Sequence, residues 1–167
     1  MLSPWTESHS ELETLFNLKD GKRLNWAKVE FTPKDLVEAY KPETYSLKID
    51  EERKPKWFNS EMEESVTTKL RDYIKRIIVS GDVELLVGGQ FIIAPGAKIG
   101  KADCMVINVL CGGTVNDIWG GTVNCISGGT VNYIRGGTVN DMNDTGNPTI
   151  KNISKGATIV RDNRKTK

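Results

Sequence analysis

Between Ser80 and Asn143 the chain repeats every eight residues, most plainly as Gly-Gly-Thr-Val-Asn-x-Ile-x starting at Gly112, Gly120, Gly128 and Gly136. The frame extends backwards with looser spelling. Its valine position is filled by Val83, Phe91, Ile99, Ile107, Val115, Val123, Val131 and Val139, and its isoleucine position by Leu86, Ala94, Ala102, Leu110, Ile118, Ile126, Ile134 and Met142. A short fixed period means that no unit buries its apolar face alone, so neighbouring units stack and share one columnar core. Eight octads without a slip are expected from 80 to 143.

Within an octad the two apolar residues lie three apart and then five apart, and an unbroken strand with its period of two would send them to opposite faces. The backbone must therefore bend between them. Asn108, Asn116, Asn124, Asn132 and Asn140 follow the valine position, and Asn tolerates a left-handed conformation, so a bulge or corner is expected there. The Gly-Gly pair supplies a second turn. An antiparallel meander with Gly-Gly hairpins is the rival geometry, but near-identical copies favour a parallel coil, which sets like residues about 4.8 Å apart in ladders.

The number of octads per coil decides which surface residues meet. Two octads give a flattened coil of sixteen residues, with Trp119 next to Arg135, Asp117 beside Tyr133, and Cys125 between Val109 and Asp141. Three give a triangular coil of twenty-four, with Val115 on Val139 and Trp119 on Asn143. Sixteen is favoured: it allows a cation-π contact worth about 0.5 to 1 kcal/mol and avoids an underfilled three-sided core.

Upstream of the repeat the pattern is mixed α and β. Ser8 to Glu11 reads as a capping box with Leu12, Leu15 and Phe16 behind it and Gly21 as a stop. Leu24–Phe31 reads as a strand, Thr32–Asp35 as the start of a short helix with Pro33 at its first position, and Thr44–Ile49 as a second strand. Asp50–Lys56 is a charged connector. Ser60 and Glu63 form another capping box ahead of Met62, Val66, Leu70, Tyr73, Ile74, Ile77 and Ile78 at helical spacing. This helix, assigned to 60–79 after a mixed region 1–59, is expected to cover the open end of the first coil. Beyond the octads, 144–148 breaks the frame by three residues, 149–154 restores the pattern once, and Thr158-Ile159 begins another, so the repeat region is drawn to 160 with a basic tail at 161–167.

The octads resemble those of short-repeat parallel β-solenoid proteins, similar in pattern to pentapeptide- and hexapeptide-repeat and antifreeze solenoids, and to proteins of bacteria and their phages. The resemblance covers about two fifths of the chain and implies an all-β parallel solenoid (β-helix) behind an α+β N-terminal region. It does not bring the group's chemistry with it. Hexapeptide-repeat acyltransferases use a histidine base over the solenoid, whereas the single histidine here is His9, in or beside the first helix. Thr114, Thr122, Thr130 and Thr138 make too small an array for ice. Residues 80–143 carry three basic and five acidic side chains, too near neutrality to mimic DNA.

A formal net charge of +1 gives no general attraction to nucleic acid or membrane, no apolar run is long enough to span a bilayer, and Met1 to Trp5 lack signal-peptide character. A cytoplasmic location is expected. Cys104, Cys111 and Cys125 show no CxxC spacing and read as free thiols rather than a metal site; no cofactor is implied, and Asp117 and Asp141 have no partner spaced for acid-base chemistry. The expectation is a non-catalytic structural or protein-interaction module built on a rigid platform. The alternatives are an inhibitor that blocks a host or partner enzyme by surface binding and an enzyme with its site in the N-terminal region. Trp119, Tyr133 and Arg135 are the expected contact residues, since they form the aromatic and cationic cluster of the repeat. A protein partner, or self-association through solenoid ends or edges, follows from the same picture.

Overall fold

Residues sixteen apart lie side by side along most of the repeat, which fixes the fold. The structure is a computed structural model and describes residues 28–49 and 54–163. Its elements are β1 (Val29–Pro33), β2 (Tyr45–Ile49), α1 (Ser60–Ile77), β3 (Ile78–Val79), β4 (Asp82–Val87), β5 (Gln90–Ile93), β6 (Lys98–Asp103), β7 (Val106–Leu110), β8 (Thr114–Ile118), β9 (Thr122–Ile134), β10 (Gly137–Ile150) and β11 (Ala157–Asp162). From β3 onward every pairing is parallel. The result is a β-solenoid of about five coils and about sixteen residues per coil. Val115 stacks on Val131, so the coil is two-sided.

One wall holds β3, β5, β7, the first half of β9, the first half of β10, and β11; the other holds β4, β6, β8, the second half of β9 and the end of β10. Between them lies the expected column, with Leu86, Ile99, Ile107, Leu110, Val115, Ile118, Val123, Ile126, Val131, Ile134, Val139 and Met142 buried and Val83 and Phe91 partly so. Val115 and Ile118 both point inward because the pairing passes from Val115 and Val131 directly to Asp117 and Tyr133, skipping Asn116 and Asn132. The bend is a bulge. The Asn residues of the octads are not left-handed, contrary to expectation: Cys104 and Asn147 are the described non-glycine residues with positive φ. Their role is a side-chain ladder, in which Asn140 Nδ2 donates to Asn124 Oδ1 (3.1 Å), Asn124 to Asn108 (3.3 Å), and Asn132 to Asn116 (2.8 Å).

The second glycine of the pair makes the corner. Gly129 has φ +81°, and a Cβ there would lie 2.6 Å from Gly113 O of the preceding coil, so both conformation and space require glycine.

The frame slips once, against the expectation of eight unbroken octads. Phe91 pairs with Ile107 but Ile92 pairs with Val109, so Asn108 is an extra bulged residue and Ile93, not Ala94, fills the inward position above Leu110. At the far end the three-residue break is visible in the register: Val131 pairs with Ile150, nineteen on, and Val139 with Ile159. Arg161 and Asp162 belong to β11 rather than to a tail.

In the N-terminal part, β1 and β2 form an antiparallel pair, Val29 opposite Ile49 and Pro33 opposite Tyr45. The helix expected from Thr32 is absent. Thr32 and Pro33 stay extended in β1, and a 3-10 turn at Leu36–Glu38 starts instead from Asp35, whose Oδ1 accepts from Val37 N (3.1 Å); Pro42 then leaves too few positions for a longer helix. Asn59, one residue before the expected Ser60, caps α1 by accepting from Met62 N (2.9 Å). The helix expected around Leu12 and His9 lies outside the described residues, as does the first half of the Leu24–Phe31 strand, whose end falls in β1.

Candidate interaction face

The two walls present different outer surfaces. On the first wall the outward column through the octads runs Ile92, Val109, Cys125, Asp141. Its first three members are buried because the N-terminal part lies on them: Ala39, Tyr45 and Ile74, with Phe31, Leu36, Tyr73, Ile77 and Ile78 around them, pack against Ile92, Val109, Cys111 and Cys125. The last turns of α1 lie against β5 and the 3-10 turn at Leu36–Glu38 reaches β9, so the N-terminal part as a whole, and not α1 by itself, covers this flank. Several polar groups are paired within this junction, although Arg71 Nε is buried without a hydrogen-bond partner. Tyr45 Oη donates to Ala39 O (2.9 Å), the Cys111 thiol donates to Leu36 O (3.3 Å), and Tyr73 Oη donates to Gln90 Oε1 (3.0 Å). Burial pushes the Cys111 thiol up to about 12 and the Cys125 thiol up to about 11, and raises Tyr45 above its ordinary value. These are inert thiols. Cys104 is exposed.

The second wall carries two outward columns, Leu85, Lys101, Asp117, Tyr133 and, two residues along, Val87, Asp103, Trp119, Arg135. Trp119 is half exposed. Arg135 lies 5.4 Å from its ring centroid, as the sixteen-residue coil implies, and 4.4 Å from that of Tyr133. Lys101 Nζ is closer still to Trp119, at 4.0 Å. Asp117 is the anchor of the group: Arg135 Nε donates to its Oδ1 (2.9 Å) and Nη2 to its Oδ2 (3.4 Å). Lys101 likewise meets Asp103 at 3.4 Å. The three residues singled out in the sequence thus form one cluster; Asp117 was expected beside Tyr133 but not as a contact residue, and Lys101 and Asp103 were missed. The signal for them was present, since from Trp119 Asp117 is two positions away, Asp103 one coil away, and Lys101 one coil and two positions away.

No known protein family, curated protein or solved structure matches the chain. What the face can do is read from its own chemistry. Two cations and two carboxylates neutralise one another across three coils, around two aromatic rings whose positions are set by β-bulges rather than by flexible loops. The threonines split into two stacks, Thr122, Thr138, Thr158 on one wall and Thr114, Thr130, Thr149 on the other, so no single broad array exists. Among the described residues no three His, Cys, Asp or Glu side chains are grouped to hold a metal ion, and no helix is long and apolar enough to cross a membrane.

Proposed function

We propose that the protein is a non-catalytic interaction module: the solenoid is a rigid platform, and its second wall docks a protein partner through Trp119, Tyr133 and Arg135. The observation that carries this reading is the contrast between the walls. The chain covers the outer columns of one with its own N-terminal part and leaves on the other a half-exposed Trp held between two cations. Trp, Tyr and Arg are the residue types that dominate binding hot spots, and rings held on a stiff sheet lose little freedom on binding. Internal neutralisation of Lys101 by Asp103 and of Arg135 by Asp117 leaves no net charge to attract a nucleic-acid backbone, which favours a protein surface of mixed apolar and paired polar groups.

The test is capture from nuclease-treated lysate of the native host, with wild type, Trp119→Ala and Arg135→Ala as baits quantified by mass spectrometry. At least one protein should be enriched tenfold or more on wild type and lost from both variants. Equal recovery on all three baits overturns the assignment to this face.

A further inference from the structure

The two ends of the solenoid are, among the described residues, open in complementary ways. Among the described residues, β4 pairs on one side only, with β6, and the last stretch of the second wall, 149–153, pairs on one side only, with the coil beneath it. Open parallel edges of this kind are templates for another strand unless something blocks them. Neither carries a proline or a covering element on its free side among the described residues, and each leaves core side chains short of burial. Val79 and Val83 are partly buried at one end, Ile150 and Ile159 at the other, and Ile153 is 47% exposed although it belongs to the inward column above Ile134.

We infer that the solenoids of two copies stack head to tail, the second-wall edge of one copy's last coil pairing with β4 of the next. Charge selects this arrangement over the alternatives. The first coil, 78–89, carries Asp82 and Glu84 and no basic residue; the last, 149–163, carries Lys151, Lys155 and Arg161 against Asp162. First coil against first coil would oppose carboxylates and last against last would oppose cations, so only the mixed junction is attractive.

Register supports the same choice. The columns of the second wall run Val83, Ile99, Val115, Val131, Ile150 and Leu86, Ala102, Ile118, Ile134, Ile153. Continuing the stack places the next copy's Val83 on Ile150 and its Leu86 on Ile153, covering the exposed isoleucine. Between these columns, its Glu84 falls beside Lys151. The first wall contributes less, because Asp162 ends its inner column opposite Met142 and β3 offers only two residues. A junction carried mostly by one wall predicts reversible association, open-ended because the contact is heterologous and translational.

Sedimentation velocity on the full chain tests this. At low ionic strength the weight-average sedimentation coefficient of wild type should rise continuously with concentration, passing dimer, and the rise should shrink in high salt. Glu84→Lys alone and Lys151→Glu alone should each suppress it, because each sets like charges at the junction, and the double variant Glu84→Lys with Lys151→Glu should restore it. Both side chains are exposed, so circular dichroism should show all variants folded. Trp119→Ala should stack like wild type, which separates self-association from docking on the open face. A concentration-independent monomer, a limit at dimer, or a double variant as defective as the singles would overturn the inference.

Discussion

The outer surfaces of the two walls are built from the same octads yet have opposite fates. Inward positions repeat because each faces the same column from above and below. Outward positions are free to differ, and the chain has used that freedom twice. On the first wall it placed Ile92, Val109 and Cys125 in one column, which only makes sense under a cover, and the N-terminal part supplies the cover. On the second it placed Lys101, Asp117, Asp103 and Arg135 around Trp119 and Tyr133, a surface that stays in water at little cost because its charges are paired. In a solenoid the repeat dictates the inside, and the residues between the repeated ones decide which side is interior to the molecule.

The contrast can be broken most severely by charge. Val109→Asp places an unpaired carboxylate inside the buried cluster that also holds Tyr45 and Ile74 and should cost about 3 to 5 kcal/mol, whereas Tyr133→Asp on the open wall should cost far less. Urea denaturation of the two variants compares them directly, and equal losses would mean that the first wall is not the structural one. Alkali should act on the same side. The folded-state pKa values of Cys111 and Cys125 are raised to about 12 and about 11 by burial, and Tyr45 is raised in the same sense. The stability these neutral groups contribute is therefore complete below their unfolded values, near 9.0 for the thiols, and is lost as pH rises through the folded ones. Alkylation should accordingly modify Cys104 alone at pH 8 and reach Cys111 and Cys125 as the junction opens above about pH 9; simultaneous labelling of all three at pH 8 would contradict the covered wall. The smallest effect is expected for Trp119→Ala, at most about 1 kcal/mol in denaturation, since its contacts with Lys101 and Arg135 are solvated. A larger loss would make Trp119 a structural residue and weaken the case for a docking face.

The parallel solenoid, its two-octad coil, its core column and the pairing of Trp119 with Arg135 were all legible in the spacing of residues, because a period of eight with an inward residue at two fixed places leaves few ways to stack. The slip at Asn108 was not legible. Ile92, Ile93 and Ala94 are all apolar, so hydrophobicity alone cannot say which of them faces inward, and only the pairing of Ile92 with Val109 and of Ile93 with Leu110 decides. The short helix expected from Thr32 failed because its start signal, Pro33 at the first position, was local, and pairing of Pro33 with Tyr45 in β1 and β2 outweighed it.

The sequence alone determined what repeats. Val, Ile, Asn and Gly-Gly at fixed intervals encode a bulge, a corner and a column through contacts sixteen residues apart, and such near-neighbour constraints are written into the chain. Which wall would be covered depended on contacts such as those of Leu36 and Tyr45 with Cys111, separated by more than sixty residues and by unrelated secondary structure. No periodicity records an encounter of that range, so the covered wall, and with it the identity of the open one, was decided by tertiary packing.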